Sequence, residues 1–158
     1  MLEFTDKQFE EIKTKGENLY KSLIEVYCPY FQSKINFNAK GLEHLKFKKK
    51  NFARSRVDQY IRFKLLHLAP EILKLSKTVQ GIFHTKNFEF MRSGARTEQK
   101  LLSVSYYEFI AVLKDVRVKI IVKQIEDSPK FFWSIIPFWK VNKNTMQRKI
   151  HSGNLEMD

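Results

Sequence analysis

The spacing of apolar residues changes near residue 79, and this change constrains the fold more than any other feature of the chain. Before it, apolar residues recur every three to four positions, as on one face of a helix. After it they alternate, as along a strand. Helices followed by strands with short turns predict an α+β domain with an antiparallel meander. We therefore expect N-terminal helices packed on one face of a four- or five-stranded antiparallel sheet.

The expected helices begin at capping signals. Thr5 and Gln8 have the spacing of a capping box, and so do Ser55 and Asp58. Pro70 should break the last helical pattern and restart it, because proline is tolerated in a first turn but not in a helix interior. The predicted helices are Thr5 to Tyr27, Ala39 to Phe47, and a third that starts after Ser55 and is interrupted at Pro70.

The clearest expected strand runs from Val116 to Ile125. Its valine and isoleucine side chains (Val116, Val118, Ile120 and Val122) face one way and should lie under the helices, and its cationic side chains (Arg117, Lys119 and Lys123) should then be exposed. The other predicted strands are Val79 to His84, Phe88 to Met91, Val104 to Leu113 and Phe131 to Phe138. The expected division is an N-terminal helix in 1–34, a core in 35–140, and an exposed polar tail in 141–158.

The chain is strongly basic, with 29 Lys+Arg against 17 Asp+Glu and a net charge of +12. Such self-repulsion disfavours a compact chain, so a polyanionic partner is expected: nucleic acid first, an anionic membrane surface second. The alternative is a basic protein that binds no polyanion. Cys28 is the only cysteine, so no internal disulfide can form. Without a signal-peptide pattern or a long apolar run, the expected compartment is the cytoplasm.

An open cationic sheet face would suit single-stranded RNA, because phosphates meet the charges while bases stack on aromatic rings. The residues proposed for RNA binding are Lys48, Lys49, Arg117, Lys119, Lys123, Tyr107 and Trp133. The alternative is a solvated face whose lysines serve solubility.

His44 precedes a basic stretch that includes Arg54 and Arg56. A histidine can move a proton near neutral pH, and nearby cations can hold a phosphate. RNA supplies its own 2′-hydroxyl nucleophile, so a ribonuclease needs no metal. The alternative for His44 is an ordinary surface histidine. The chain has no phosphate-binding or dinucleotide-binding glycine motif, and its carboxylates are scattered, so neither a metal nor a cofactor is expected.

Three segments carry a family resemblance: Gly41-Leu42-Glu43-His44-Leu45, the helix Arg56 to Arg62, and Phe132 to Pro137. Over residues 35–140 the chain resembles the phage-associated branch of the barnase, EndoU, colicin and RelE superfamily (the BECR fold) of metal-independent ribonucleases. The resemblance implies a site built from His44, Arg54 or Arg56, and Ser134. It also implies a toxin of a toxin–antitoxin or mobile-element system, with an acidic antitoxin or inhibitor as a partner.

Two other functions remain open from the residues alone. One is a non-catalytic RNA- or DNA-binding module that uses the same basic sheet. The other is an interaction protein of a mobile element whose basic face meets an acidic protein.

Overall fold

A computed structural model describes residues 3–113, 115–137 and 154–158. These ranges form an α+β fold with four helices and a mixed six-stranded sheet. The elements are α1 (Asp6–Leu23), β1 (Glu25–Cys28), β2 (Ser33–Asn36), α2 (Ala39–Lys46), β3 (Phe47–Lys49), β4 (Phe52–Ala53), α3 (Arg56–Leu65), α4 (Leu68–Leu75), β5 (Gly81–Ser93), β6 (Arg96–Leu113), β7 (Val116–Ile125) and β8 (Phe131–Pro137).

The sheet has the order β1-β2-β8-β7-β6-β5, and β3 and β4 form a separate small hairpin. Its strands pair antiparallel except β2 and β8, which are parallel and are paired at Asn36 and Phe131. The expected sheet of four or five antiparallel strands is therefore corrected to six strands of mixed direction. The two additional strands, β1 and β2, lie between the first two helices.

The first helix is shorter than predicted. The capping box at Thr5 and Gln8 is present, but α1 ends at Leu23 because Ile24 has a φ of 54°, which the helix cannot continue. Val26 and Cys28 then alternate with exposed neighbours along β1. The prediction that the first helix continues to Tyr27 is therefore wrong.

The meander follows the sequence prediction more closely. The two short strands expected within 79–91 are one continuous strand, β5, which pairs with β6 along its whole length. The β7 strand pairs with β6 only over Val104–Leu113, so the outer part of the β5–β6 hairpin forms a two-stranded arm. The described part of β8 ends at Pro137; Phe138, the last residue of the predicted strand, lies outside the described residues, as does Lys114.

Arg117 is exposed as predicted, but both faces of β7 are covered beyond it, which corrects the predicted exposed cationic face. Val118, Ile120 and Val122 lie in the core cluster that includes residues of the helices, as predicted. Lys119 and Lys123 were expected to be exposed but are only 3% and 1% exposed. They can be buried because each is paired with a carboxylate, and a second apolar cluster, which includes Trp133, Ile136 and Leu155, packs around them.

Residues 154–158 also depart from the sequence prediction. An exposed tail was expected there, but Asp158 is buried and Leu155 packs against the second apolar cluster. Residues 141–153 of the predicted tail lie outside the described residues.

The helix α2 lies tightly along β8, next to the point at which β2 meets it. A Cβ atom at Gly41 would overlap the main-chain oxygen of Phe132 and the hydroxyl of Tyr20. Only a glycine permits this approach, which fixes the position of α2 and of the histidine one turn later. No helix in the described part of the chain is both long and apolar enough to cross a membrane.

Candidate anion-binding site

Two buried arginines are held by one carboxylate at the start of α3. Asp58 and Arg62 lie four residues apart in α3 and therefore on the same side of the helix, and Arg54 lies just before the Ser55 cap. The Asp58 carboxylate accepts from Nη1 of Arg54 at 3.3 Å and from Nε of Arg62 at 2.6 Å. Arg62 is fully buried and Arg54 nearly so. Burial, followed by the nearby charge of Arg62, lowers the pKa of Arg54 to about 10, so its guanidinium remains a cation at neutral pH.

A bulge in β8 brings a hydroxyl to these arginines. Ile121 of β7 is paired with Ser134 and Val122 with Phe132, so Trp133 is an extra residue in β8. Such a bulge re-aims the side chains around it. The Oγ atom of Ser134 accepts a hydrogen bond from Nη1 of Arg62 at 2.5 Å.

His44 completes the cluster from α2. Its ring stacks on the Trp133 indole with ring centroids 3.9 Å apart, and its Nε2 lies 2.9 Å from Nη2 of Arg54. A guanidinium has only donors, so Nε2 must accept and the ring proton must lie on Nδ1. Burial, and then the positive charges of Arg54, Arg62 and Lys123, hold the pKa of His44 well below its usual range. The imidazole is therefore neutral at physiological pH.

A main-chain oxygen of Asp158 occupies the centre of the cluster. It accepts from Nη1 of Arg62 at 2.5 Å, from Oγ of Ser134 at 2.7 Å and from Nη2 of Arg54 at 3.2 Å. The neighbouring oxygen of Met157 accepts from the same Nη2 at 2.9 Å. One oxygen surrounded by two guanidiniums and a hydroxyl has the environment that a carboxylate or phosphate oxygen requires.

A second cationic position lies next to the first. The Lys123 ammonium sits 4.0 Å from the centroid of the Trp133 ring and forms ion pairs with Glu89 at 2.7 Å and Glu156 at 2.8 Å. The Glu156 carboxylate also accepts from the Tyr106 hydroxyl. Burial, with a further contribution from Glu156, raises the pKa of Tyr106, so the hydroxyl keeps its proton and acts as a donor.

Of the residues predicted from the sequence, five come together in this site: His44, Arg54, Ser134, Lys123 and Trp133. Arg56 does not join them. It lies on the other side of the start of α3, where it pairs with Asp6 at 2.7 Å and covers the ring of Phe9.

The remaining predicted RNA-binding residues lie elsewhere. Lys48 and Lys49 lie over the exposed ring of Phe52 in the β3–β4 hairpin. Tyr107 packs its ring against Phe31 in the core on the helix side of the sheet. Arg117 is exposed on β7, whereas Lys119 is buried and bonded to Glu108.

Arg62 and Asp58 were not predicted as site residues. The spacing of Asp58 and Arg62 predicts that they share one side of the helix that begins after the Ser55 cap, but it does not indicate that this side is buried or that Arg54 joins it. Glu156 and Asp158 were also missed. Nothing in a short polar segment at residues 154–158 indicates that it folds back onto a strand some twenty residues earlier.

Within the described residues, no group of three or more histidine, cysteine, aspartate or glutamate side chains is arranged to hold a metal ion. Comparisons of the chain with protein-family models, with curated proteins and with solved structures each gave no match.

Proposed function

We propose that the protein is a metal-independent endoribonuclease whose active site is the cluster of His44, Arg54, Arg62 and Ser134. The observation that carries the proposal is the oxygen of Asp158, which is held by both guanidiniums and the hydroxyl. A non-bridging phosphate oxygen of RNA would find the same donors there. Preorganised, water-excluded donors of this kind are effective at stabilising charge that develops in a transition state.

In the proposed reaction the 2′-oxygen of RNA attacks the adjacent phosphorus, and the bond from phosphorus to the 5′-oxygen breaks. His44 takes the proton of the 2′-hydroxyl and returns it to the 5′-oxygen. Its depressed pKa supports the first step, since a base must be neutral to accept a proton. Arg54 would turn from Nε2 of His44 to the phosphate when substrate binds. The products are a 2′,3′-cyclic phosphate and a 5′-hydroxyl.

The BECR resemblance also supports this proposal, because a histidine of an early helix, an arginine and a hydroxyl of a late strand meet in one site. The same resemblance extends the proposal to a toxin of a toxin–antitoxin or mobile-element system, acting in the cytoplasm and neutralised by an acidic protein partner.

The test is cleavage of labelled RNA in excess EDTA, with end-group analysis of the products. We expect cyclic phosphate ends, and no cleavage of DNA or of 2′-O-methyl RNA, which lack the nucleophile. His44→Ala should lower the rate by about 10²–10⁴. His67→Ala is the matched control, because His67 is an exposed histidine outside the site. Arg54→Lys should impair turnover, whereas Arg56→Lys should not.

A second candidate is a non-catalytic nucleic-acid-binding module. The observation that favours it is the bond between Arg54 and Nε2 of His44, which occupies the atom that would accept a proton. One assay distinguishes the two candidates. It is made with the full chain and with a chain ending at Gly153, which lacks the Asp158 oxygen that occupies the arginines. RNA that is bound but never cut by either chain would exclude the ribonuclease and leave the binding module.

A further inference from the structure

The segment Asn154–Asp158, called here the acidic segment, occupies the donors that the proposed substrate would need. The oxygen of Asp158 lies between the two arginines and Ser134, and the carboxylate of Glu156 lies on Lys123. We propose that the acidic segment is a built-in competitive ligand of the anion-binding site, which must leave before RNA can bind. This inference rests on the proposed function, because it takes RNA as the competing ligand.

Three independent contacts seat the acidic segment. The Trp133 indole donates from Nε1 to the main-chain oxygen of Leu155 at 3.1 Å. Glu156 accepts from Lys123 at 2.8 Å and from Asn87 at 3.3 Å. The main-chain oxygens of Met157 and Asp158 accept hydrogen bonds from Arg54, and the oxygen of Asp158 also accepts one from Arg62. The arginines, the serine and the lysine that could reach a phosphate are thus already bonded to this one segment.

The charges of the site explain why the segment and RNA should exclude each other. Three cations, Arg54, Arg62 and Lys123, face two carboxylates, Asp58 and Glu89. This leaves one positive charge, to which the acidic segment brings two carboxylates, those of Glu156 and Asp158. A phosphate would supply the same compensation. Both together would bring an uncompensated negative charge into a buried site, which is costly.

The alternative is that the acidic segment is simply part of the folded core. The two interpretations predict opposite effects of weakening it. If the segment competes with RNA, weakening its contacts raises RNA affinity, because the observed dissociation constant is the intrinsic one divided by the fraction of open sites. If it is only structural, the same changes lower affinity or leave it unchanged.

The experiment measures the dissociation constant of a short 2′-O-methyl RNA, which cannot be cleaved, for full-chain Glu156→Gln and for a chain ending at Gly153. We expect binding to tighten by about tenfold or more on deletion, and by less for Glu156→Gln. Glu25→Gln is the matched control, since Glu25 is an exposed carboxylate of β1 that pairs with Lys34 of β2. The peptide acetyl-Asn-Leu-Glu-Met-Asp, added in trans, should compete with RNA for the shortened chain, and the peptide with Gln for Glu should compete less.

A second readout follows the segment itself. Trp139→Phe leaves Trp133 as the only tryptophan of the chain. In this background the indole N–H resonance of Trp133 should shift when the RNA binds, and should shift in the same direction when the segment is deleted, because both remove the bond to Leu155. An unchanged indole resonance on RNA binding would show that RNA binds without displacing the segment, and would overturn the proposal.

The outcomes also separate this inference from the proposed function. Tighter binding with no cleavage by any variant would uphold the competing segment and reject the ribonuclease. Cleavage that proceeds at the same rate with and without the segment would uphold the ribonuclease and reject the competing segment. If the shortened chain does not fold, as judged by circular dichroism, Glu156→Gln decides: RNA affinity that is unchanged or weaker in this variant overturns the inference.

Discussion

At the residue scale, the ionisation of His44 links the site to stability. Its ring lies between the Trp133 indole and three cations, Arg54, Arg62 and Lys123, and it contacts the main chain of Asp158. Of these partners, only the main chain of Asp158 favours the doubly protonated, charged form of the ring. The folded protein therefore resists protonation of His44, whereas the unfolded chain does not.

This difference predicts a loss of stability in acid. As pH falls through the ordinary histidine pKa of 6.5, the unfolded chain gains a proton that folded His44 does not, so the free energy of unfolding falls. Between pH 7 and pH 5 the wild type should lose up to about 2 kcal/mol more than His44→Gln, as measured by urea denaturation at both pH values. Parallel losses in the two proteins would contradict a neutral, buried His44.

The candidate site residues were predictable only where their chemistry stands out in the sequence. His44 and Ser134 could be proposed because a histidine near cations, and a hydroxyl on a late strand, match a known resemblance. Arg62 could not be proposed, because arginines are mostly exposed and are rarely buried unless they are paired. Its partners, Asp58 and the oxygen of Asp158, become apparent only when three distant segments meet.

At the scale of elements, α2 and β8 position the site together. Gly41 lets α2 approach the backbone of β8, and His44 follows one turn later on the same helix. On β8, the extra residue Trp133 brings the indole and Ser134 into reach of α2 and α3. The distance between these two elements therefore sets the geometry of the anion-binding site.

Gly41→Ala should disturb that geometry. The new methyl group would meet the main-chain oxygen of Phe132, which cannot rotate away, so α2 must shift. Overpacking of this kind typically costs about 1–3 kcal/mol. We expect a lower melting temperature together with weaker RNA binding. Lys40→Ala, at an exposed position of the same helix, is the control and should change stability by less than about 0.5 kcal/mol.

The order of elements was largely predictable, whereas the burial of β7 was not. Alternation of valine and isoleucine with cations normally indicates one exposed face. Here the opposite face is covered by Trp133, Leu155 and their neighbours, and its lysines are paired with Glu108, Glu89 and Glu156. These partners come from other strands and from the acidic segment, so the alternation of one strand could not reveal them.

At the scale of the whole molecule, the net charge of +12 is not located in the anion-binding site, whose cations are compensated. Part of the excess lies on the β3–β4 hairpin, where Lys48 and Lys49 flank the exposed ring of Phe52. Lys50 of the same hairpin lies 5.2 Å from the ring centroid of Phe90, which is also exposed. Exposed cations beside exposed rings suit the phosphates and bases of a single strand.

Replacing Lys48, Lys49 and Lys50 with alanine should therefore weaken single-stranded RNA binding. The logarithm of the binding constant should also depend less steeply on the logarithm of salt concentration, by about 0.7 for each phosphate that the variant no longer neutralises. Titrations between low and moderate salt measure both quantities, with Lys74→Ala on α4 as a control of equal type. A triple variant with the wild-type salt slope would show that RNA approaches the protein by another route.

The extra residue of β8 has a consequence for how this chain can diverge. Deleting one residue from 131–137 would remove the bulge and turn Trp133 or Ser134 toward the opposite side of the sheet. Beyond Phe90 the β5–β6 arm carries no such constraint, because its two strands are paired there only with each other. In evolution the arm can therefore lengthen or shorten by matched pairs of residues, whereas β8 cannot gain or lose even one residue without a change in the site.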